Sequence, residues 1–600
     1  MAQPLSTLFG CSGLPLAWAG QDAWRILQTG APDTLNFLHA WAAWKKDPDR
    51  PRMLHYVAIA PMPVDAMQDL QRGAQLAGVP KLVPLASLLA EQSSGLTSGW
   101  HRVAFEGGQV LLTLCTGQPK SMLREQSFTA DSIFLRPLRQ AIPAADEMDA
   151  ADNASAWDQW AVKSLARCCR RGTEIITAGL ARQAIQNLRQ GGFDLAPGSS
   201  PACPTSPADS SSVWTGHYNP RWEPRTTRRS FSGGGAKRGT CIVVGAGLAG
   251  ASVAASLARR GWQVQVLDAA ATPAGGASGL PVGLMLPHVS ADDSQRSRLS
   301  RSGLRMTRQE ADRLLAPGQD WAASGVLEHR PGGPLWHASG AWVKPSRLVQ
   351  AWLSQPGVSF IGSTSVTCIE PVNGAWVLRG SAGQVLAQAS HVVLACAMGT
   401  VPLLAQLAES QPGLSSGLHR LPTLRGVAGQ VSWALQSDSD TRALPPFPVN
   451  GSGSLISSVP FDGPSDGSMG WFVGATYEPV QPDTEASFAE QHRANLERLA
   501  TLLPAAALAL GHYFETGAVQ AWRNTRCTTT DRLPVVGPLM PGPAPTLWVC
   551  TALGSRGLSL SVLCAELLAA RLCAEPWPVA ATLEASIDSQ RSKVAPTHKR

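Results

Sequence analysis

The sequence predicts an α/β protein with two domains of the nucleotide-binding type. Three observations support this prediction. Strand-like and helix-like segments alternate over residues 1–195. A glycine-rich turn joins an apolar strand to a helix just after residue 240. Between these regions, residues 196–238 are rich in Ser, Pro, Gly and Arg, which is typical of a linker. We therefore expect domains at 1–195 and 239–583, joined by that basic linker and followed by a basic tail at 584–600.

The composition agrees with large globular domains. Of the 600 residues, 44% are hydrophobic and 16% are charged, which suits two or three domains with sizeable cores. No segment has 18 uninterrupted apolar residues, so we expect no membrane span. The N-terminus, Met1–Leu5, lacks the charged and cleavable pattern of a signal peptide. The cysteines show no metal-ligand spacing, so we expect reduced thiols, no metal and a cytoplasmic location.

Within the first domain, strands and helices follow one another. Trp24–Leu27 begins a strand, and the apolar spacing from Leu35 to Trp44 predicts a helix after it. This alternation predicts a doubly wound sheet. The remaining predicted elements are strands at Leu54–Ile59, Ser132–Leu135 and Thr173–Thr177 and a helix around 157–169.

Positive charge is concentrated in the linker. The chain has a formal net charge of +7, and residues 213–238 hold six basic side chains against one acid, Glu223. A basic segment with aromatic residues can bind a phosphate backbone and stack on bases, or it can be a solubilising linker that contacts nothing. Charge alone leaves both interpretations open. The basic residues are Arg221, Arg225, Arg228, Arg229, Lys237 and Arg238, and the aromatic ones are Trp214, Tyr218 and Trp222.

Residues 240–268 have the pattern of a dinucleotide-binding strand, turn, helix and second strand. Thr240–Val244 is an apolar, β-branched run that is typical of a buried parallel strand. In the turn that follows, Gly245 permits the sharp bend and Gly247 lets the backbone approach a pyrophosphate. Gly250 allows the helix and strand to pack closely. The pattern therefore predicts a pyrophosphate site at the positive end of this helix.

The residues after this turn indicate which dinucleotide binds. Asp268, 23 residues after Gly245, is placed to accept the ribose hydroxyls of an adenosine. The glycine pattern, with Ala246 inside it, does not distinguish FAD from NAD. The continuation at Pro273–Gly283 adds a second loop of small residues, whose amides can follow a dinucleotide toward a flavin, and this favours FAD. The candidate cofactor contacts in the second loop are Ala277, Ser278, Gly279 and Gly283.

The same loop carries a family resemblance. Its Gly-Ala-Ser-Gly-x-Pro-x-Gly, followed by an apolar run and Pro287, resembles the FAD-dependent C-terminal half of the MnmC family. These bifunctional bacterial enzymes complete the wobble modification 5-methylaminomethyl-2-thiouridine in tRNA. The resemblance covers nearly the whole chain and is strongest over 240–290 and 520–578. It implies FAD as cofactor, tRNA as partner, and an amino-acid-oxidase-like FAD domain with an α+β substrate domain.

Two turns in the last third of the sequence resemble the same family. Thr525–Gly537 fits the family's R-x-x-T-x-D-R-x-P-x-x-G, and Gly554–Gly557 precedes a helix predicted at 561–573. In the related amino-acid oxidases, arginines on such turns hold the substrate carboxylate, and the glycine turn lies beside the flavin. The alternative for Arg526 is a structural salt bridge with Asp531 or with a neighbouring residue. The resemblance implies Arg526 as the carboxylate anchor and Arg556 as the second candidate, with Gly554, Ser555 and Gly557 at the flavin.

The first domain resembles the S-adenosylmethionine-dependent methyltransferase half of this family, with departures at its functional positions. Thr29-Gly30 and Leu35–Leu38 match the edges of the family's E-T-G-F-G-x-G-L-N-F. The departures are Pro32 and Thr34 for two glycines, Ala60 for the acid that ends the second strand, and Arg136 for a carboxylate of the acceptor loop. We therefore expect a Rossmann-like methyltransferase-type fold with little or no methyl transfer. The alternative is that other groups restore S-adenosylmethionine binding.

The resemblance implies a specific oxidation. The substrate arm, uridine-CH2-NH-CH2-COO⁻, suits a flavin and an arginine that fixes the carboxylate. The expected reaction removes the carboxymethyl group from 5-carboxymethylaminomethyl-2-thiouridine in tRNA and leaves 5-aminomethyl-2-thiouridine. Two alternatives remain: an oxidase of small amines such as glycine or sarcosine, and a tRNA-binding scaffold without catalysis.

Overall fold

In the computed structural model, the chain divides into two compact units. The first consists of Met1–Ala236 together with Ala570–Glu584, and the second of Lys237–Ala569 together with Ala585–Arg600. The structure describes residues 8–30, 34–60, 79–93, 96, 99–137, 157–198, 213–222, 236, 238–412, 421–462, 467–480, 487–540, 542 and 544–591.

An eight-stranded sheet forms the first unit, with the strand order β3-β4-β2-β1-β5-β6-β8-β7. The central strands, from β4 to β6, run parallel, and β3 and β8 run antiparallel to them. Strand β7 pairs antiparallel with β8 and therefore runs in the same direction as the central strands. The strands are β1 (Ala23–Thr29), β2 (Met53–Ala60), β3 (Gly99–Phe105), β4 (Val110–Thr116), β5 (Ala130–Leu135), β6 (Cys169–Ala178), β7 (Phe193–Pro197) and β8 (Val213–Tyr218). The helices are α1 (Thr34–Lys46), α2 (Val83–Gln92), α3 (Pro119–Arg124), α4 (Gln159–Ala166) and α5 (Arg182–Gln190).

Apolar side chains cover both faces of this sheet. One cluster includes Trp18, Phe37 and Trp41, and the other includes Trp157 and Leu165. Because parallel strands are buried on both faces, they appear in the sequence as continuous apolar runs. The predicted strands β1, β2, β5 and β6 are confirmed, and so are the predicted helices α1 and α4.

The predicted linker is wrong at its centre. Val213–Tyr218 forms β8, which pairs with β6 and β7 inside the sheet. A Cβ on Gly216 would lie 1.8 Å from the carbonyl oxygen of Asp194, so this close strand approach requires glycine. Tyr218 is buried against Phe193 and is not available for stacking, whereas Trp222 is exposed. The basic residues Arg225, Arg228, Arg229 and Lys237 lie outside the described residues.

The predicted boundary at residue 583 also needs correction, because Ala570–Glu584 belongs to the first unit. The Arg102 guanidinium donates to the carbonyl oxygen of Pro576 at 2.7 Å, and the Trp577 amide donates to the Gln126 side chain at 3.2 Å. These contacts join positions more than 400 residues apart, which local sequence patterns do not reveal.

Two large sheets organise the second unit. The first has six strands in the order β16-β10-β9-β20-β28-β27, all parallel except β27. The second has eight, in the order β14-β13-β22-β23-β24-β21-β25, with β26 also paired to β21. The strands are β9 (Thr240–Val244), β10 (Gln263–Leu267), β11 (Gly283–Met285), β12 (Trp321–Ala322), β13 (Val326–Glu328), β14 (Leu335–His337), β15 (Ala341–Val343), β16 (Val358–Ile361), β17 (Cys368–Val372), β18 (Ala375–Arg379), β19 (Val385–Ala389), β20 (His391–Leu394), β21 (Leu424–Leu435), β22 (Val449–Asn450), β23 (Ser454–Pro460), β24 (Met469–Gly474), β25 (Glu478–Pro479), β26 (Gln520–Thr529), β27 (Val535–Pro538) and β28 (Leu547–Thr551).

A buried ion network holds three helices of this unit together. Arg259 and Arg260, at the end of α6, lie 3.1 and 2.9 Å from the Glu566 carboxylate on α13. Arg259 also pairs with Glu310 on α7 at 2.7 Å. Burial by itself raises the pKa of Glu566, but Arg260 and Arg259 hold it well below its ordinary value. The helices after the first unit are α6 (Leu248–Arg259), α7 (Gln295–Leu314), α8 (Pro345–Leu353), α9 (Thr400–Ser410), α10 (Asp438–Ala443), α11 (Phe488–Leu502), α12 (Pro504–Glu515), α13 (Gly557–Leu572) and α14 (Ala581–Ile587).

Three global expectations can be compared with the described residues. Within them, no helix is long and apolar enough to cross a membrane. The same part of the chain contains no cluster of three or more His, Cys, Asp or Glu side chains that could hold a metal. Ten described cysteines are free thiols, but Cys11 is disulfide-bonded, so the expectation of fully reduced thiols is wrong there. Sequence spacing does not reveal which thiols meet in space.

Candidate active site

In the glycine turn after β9, the backbone packs closely against the neighbouring strand and against α6. Gly245 has φ +110°, and a Cβ there would lie 2.6 Å from the carbonyl oxygen of Ala395 at the end of the neighbouring strand. A Cβ on Gly250 would lie 1.8 Å from the carbonyl oxygen of Gly245. Both positions therefore exclude larger residues, and α6 begins at Leu248 with its N-terminus beside the turn.

Asp268 is fixed by the same turn. One carboxylate oxygen accepts from the Ala246 amide at 2.6 Å, and the other accepts from the Ala270 amide at 2.8 Å. These bonds orient the carboxylate at the carboxyl end of β10, the position from which an acid can reach the ribose of a bound adenosine. The Ser278 hydroxyl accepts from the Leu248 amide at 2.9 Å, so the second loop lies against the start of α6.

A cavity of about 500 Å³, which we call the dinucleotide cavity, follows these elements. Ala246, Gly250 and Gly279 do not line it, but they determine the path of the two loops that do. The turn Cys396–Gly399 after β20 also contributes. The predicted cofactor residues that line this cavity are Gly245, Gly247, Asp268, Ala277, Ser278, Gly283, Gly554, Ser555 and Gly557.

A second cavity of about 530 Å³, the arginine cavity, adjoins the first. Both predicted arginines, Arg526 and Arg556, line it. Tyr477 and Arg498 line it too, and neither was predicted as a site residue from the sequence. A continuous wall therefore connects the dinucleotide and arginine cavities. The residues that line both are Leu280, Gly283, Leu284, Arg526 and Ser555.

Arg526 contacts a backbone carbonyl and an aromatic ring rather than Asp531. Its Nη1 lies 3.4 Å from the carbonyl oxygen of Thr476, and its guanidinium stacks on the Tyr477 ring at 4.7 Å. Asp531 instead pairs with Arg591 at 3.0 Å, so the alternative of an Arg526–Asp531 bridge is wrong. Burial lowers the pKa of Arg526, which means that an anionic ligand would relieve a desolvated positive charge.

Arg556 lies in the turn that leads into α13. Burial and, to a lesser extent, the nearby Arg296 lower its pKa. Burial followed by the charge of Arg556 also lowers the pKa of His288, whose Nδ1 is 2.9 Å from the Ser297 hydroxyl. The positive charges around this cavity favour an anionic substrate.

The residues of the second unit fit FAD. The main reason is the dinucleotide cavity itself. Gly247 has no side chain in it, and the atoms near its Cβ position are the Ser278 hydroxyl at 3.0 Å and the Ser278 Cβ at 3.8 Å. The backbone turn, the start of α6 and the oriented Asp268 supply contacts for pyrophosphate and ribose. A bound flavin would be held along a wall that reaches the arginines.

In the first unit, the ends of β2 and β5 fit S-adenosylmethionine poorly. Ala60 ends β2 without a carboxylate, and Arg136 follows β5. The Gln28 side-chain oxygen accepts from the Tyr56 hydroxyl at 2.5 Å and from Asn36 at 3.3 Å, so protein groups satisfy it. Pro32 lies outside the described residues. The described strand ends therefore lack the acid that would hold a ribose.

Comparisons with known proteins agree with this organisation. The family described as FAD dependent oxidoreductase matches residues 240–332 and 327–571. A tRNA 5-methylaminomethyl-2-thiouridine biosynthesis bifunctional protein MnmC from Albidiferax ferrireducens is 48% identical over 96% of this chain and 94% of its own length. A protein of the same name from Polaromonas naphthalenivorans is 45% identical over 95% of this chain and 90% of its own.

A solved structure is also similar to part of the chain. The glycine oxidase of Geobacillus kaustophilus is 19% identical, with a TM-score of 0.42, over 56% of this chain and 94% of its own. A similarity at that level says nothing about activity.

Proposed function

The chain belongs to the family of bifunctional proteins for tRNA 5-methylaminomethyl-2-thiouridine biosynthesis, and on this premise we propose an oxidative step at the wobble uridine. The reaction removes the carboxymethyl group from 5-carboxymethylaminomethyl-2-thiouridine in tRNA. The product is 5-aminomethyl-2-thiouridine, and the two departing carbons leave as glyoxylate.

The chemistry needs few groups from the protein. Bound FAD supplies a two-electron acceptor for a hydride from the carbon next to the carboxylate. Loss of that hydride and of the amine proton leaves a C=N bond in the arm, and water cleaves it into the free amine and glyoxylate. The protein must hold the arm so that this C–H bond faces the cofactor.

The observation that carries the proposal is the wall shared by the two cavities. Arg526 lines both of them, and Arg556 lines the adjoining arginine cavity. A guanidinium binds a carboxylate through two parallel hydrogen bonds, which fixes its orientation as well as its position. An arm held by Arg526 would therefore place its reacting carbon beside the cofactor.

The second part of the proposal is that the first unit no longer transfers methyl groups efficiently. Its described strand ends offer Ala60 and Arg136 where the family has carboxylates, and Gln28 is bonded to Tyr56 and Asn36. A ribose whose hydroxyls find no acceptor loses charge-assisted hydrogen bonds, each worth about 1.5–3 kcal/mol. The reaction of this chain would then stop at the aminomethyl stage.

The test incubates the purified flavoprotein with tRNA that carries 5-carboxymethylaminomethyl-2-thiouridine, with and without S-adenosylmethionine. Nucleosides are then identified by mass, and glyoxylate is measured. We expect the aminomethyl nucleoside and glyoxylate in both samples. A methylaminomethyl product in the sample with S-adenosylmethionine would contradict the loss of methyl transfer but leave the oxidation intact.

Two outcomes would support the alternatives. Unchanged tRNA together with oxidation of glycine or sarcosine would indicate a small-amine oxidase. A colourless protein that does not bind added FAD would indicate a scaffold without catalysis.

The role of Arg526 has its own test. Arg526→Gln removes the positive charge and the two-pronged guanidinium from the wall that the two cavities share. The value of kcat/KM for modified tRNA should therefore fall about 100-fold or more. The control is Arg523→Gln on the same strand, since Arg523 lines neither cavity. Equal activity of the two variants, each with a full complement of FAD, would contradict the assignment.

A further inference from the structure

A third arginine, Arg498, lines the arginine cavity on a different element from the other two. It lies on α11, whereas Arg526 lies on β26 and Arg556 in the turn before α13. One carboxylate on the substrate arm does not account for three guanidinium groups. Since an unmatched charge in a partly buried cavity is costly, a second anion is expected there.

The hydrogen bonding of Arg498 leaves its charge available. Its Nη1 donates to the carbonyl oxygen of Ala475 at 2.6 Å, which orients the guanidinium without neutralising it. Among the described residues, no carboxylate forms a salt bridge with Arg498. This differs from Arg259 and Arg260 of the same unit, which buried glutamates neutralise.

The cavity wall beside Arg498 is made of small residues. Residues 450–454, the turn between β22 and β23, line the same cavity. A Cβ on Gly453 would lie 3.4 Å from the Cβ of Arg498, and one on Gly451 would lie 2.7 Å from a methyl of Leu502. A side chain at Gly451 would press on Leu502 of α11, and Gly453 keeps the cavity wall beside Arg498 free of a side chain.

We propose that Arg498 binds a backbone phosphate next to the modified uridine, while Arg526 and Arg556 hold the carboxylate of the arm. This deepens the proposed function and rests on it. A nucleotide inside an RNA chain carries a backbone phosphate in addition to the carboxylate of the arm, and an arginine guanidinium binds phosphate oxygens as well as carboxylate oxygens. Arg498 would thereby distinguish an RNA-borne substrate from a free nucleoside or a small amine.

The experiment compares two substrates that differ in phosphate. One is tRNA bearing 5-carboxymethylaminomethyl-2-thiouridine, and the other is the free 5-carboxymethylaminomethyl-2-thiouridine nucleoside. For Arg498→Gln, the loss of kcat/KM on tRNA should exceed the loss on the nucleoside by about 10- to 100-fold, as expected for one charge-assisted contact. Arg498→Lys, which keeps the charge, should recover part of the loss. The control is Arg493→Gln, on the same helix but exposed and outside the cavity, and it should change neither value.

A second measurement uses tRNA alone. The dependence of log KM on log salt concentration should become shallower by about 0.7 in Arg498→Gln, because one fewer phosphate is neutralised on a single-stranded loop. The visible flavin spectrum of each variant reports whether the second unit is folded.

Two results would overturn the assignment of Arg498 to phosphate binding. Equal losses on both substrates would place Arg498 at the arm or in a structural role. Unchanged values on both, or an unchanged salt dependence, would remove it from phosphate binding. A wild-type protein that does not oxidise modified tRNA at all would instead contradict the proposed function.

Discussion

In both units, a glycine with positive φ follows a parallel strand that lies close to its neighbour. In each, a strand ends in a glycine with positive φ, +122° at Gly30 and +110° at Gly245. In each, a Cβ on that glycine would meet the carbonyl oxygen at the end of a neighbouring strand, at 2.3 Å from Arg136 and 2.6 Å from Ala395. At both glycines, the close approach to a neighbouring strand leaves no space for a side chain.

They differ in the groups that would contact a ligand. The strand next to the second unit's turn ends in Asp268, whose carboxylate two amides orient. The matching strand of the first unit ends in Ala60. The residues that shape the two strand ends are therefore separate from the residues that would contact a cofactor.

The first helices also end differently. Helix α1 ends in Lys45 and Lys46, and Lys45 forms an exposed pair with Glu106 at 2.6 Å. Helix α6 ends beside Arg259 and Arg260, which are buried against Glu566. Exposed pairs contribute little to stability, whereas breaking a buried pair leaves an uncompensated charge. The helix that borders the dinucleotide cavity is the more strongly held one.

The largest expected effect comes from breaking that network. Glu566→Gln should lower the free energy of unfolding of the second unit by about 3–5 kcal/mol, whereas the matched change Glu106→Gln should cost the first unit under about 1 kcal/mol. Calorimetry of both variants measures this. Equal effects would refute the contrast between the two helices.

The same carboxylate makes a pH prediction with a definite sign. Since the folded pKa of Glu566 lies below its unfolded value of about 4.3, its stabilisation is complete above that pH and is lost as the pH falls below it. The melting temperature of the wild type should therefore fall more steeply below about pH 4 than that of Glu566→Gln.

The paired glycines should separate folding from cofactor binding. Gly245→Ala and Gly30→Ala both impose a backbone conformation that costs about 1–3 kcal/mol, in addition to the clash with a carbonyl oxygen. We expect each to destabilise its own unit, but only Gly245→Ala to release FAD, measured by flavin fluorescence. Loss of FAD from Gly30→Ala would contradict the separation of the two units.

A smaller effect is expected at the oriented acid. Asp268→Asn keeps the shape but removes the charge that accepts from Ala246 and Ala270. The affinity for FAD should fall about 10- to 100-fold. The second unit should also lose about 1–3 kcal/mol of stability, because the asparagine NH2 group replaces one of the two acceptor oxygens. Titration of apoprotein with FAD measures it, and an unaltered Kd would remove Asp268 from the site.

The smallest effect is expected from a substitution in the first unit. Ala60→Asp restores an acid to the first unit, yet Gln28 remains bonded to Tyr56 and Asn36, and Pro32 and Thr34 still replace two glycines. We expect no measurable binding of S-adenosylmethionine by calorimetry. Binding by this single variant would mean that Ala60 alone accounts for the proposed loss of S-adenosylmethionine binding.

By itself, the sequence determined the features that depend on neighbouring residues. The run Thr240–Val244, the glycines after it and Asp268 define a strand, turn, helix and acid through short-range pattern, and the structure has these elements in place. Arg526 and Arg556 were found by resemblance to short turns, and the structure brings both to one cavity.

Only the tertiary structure decided which distant segments meet. Val213–Tyr218 pairs within the first sheet, and Ala570–Glu584 belongs to the first unit. Tyr477 and Arg498 both line the arginine cavity. Periodicity and turn chemistry act over a few residues, whereas these placements depend on packing and hydrogen bonds between residues far apart in the chain. No local pattern around Arg498 distinguishes it from the exposed Arg493 on the same helix; the fold makes that distinction by turning one of them toward a cavity.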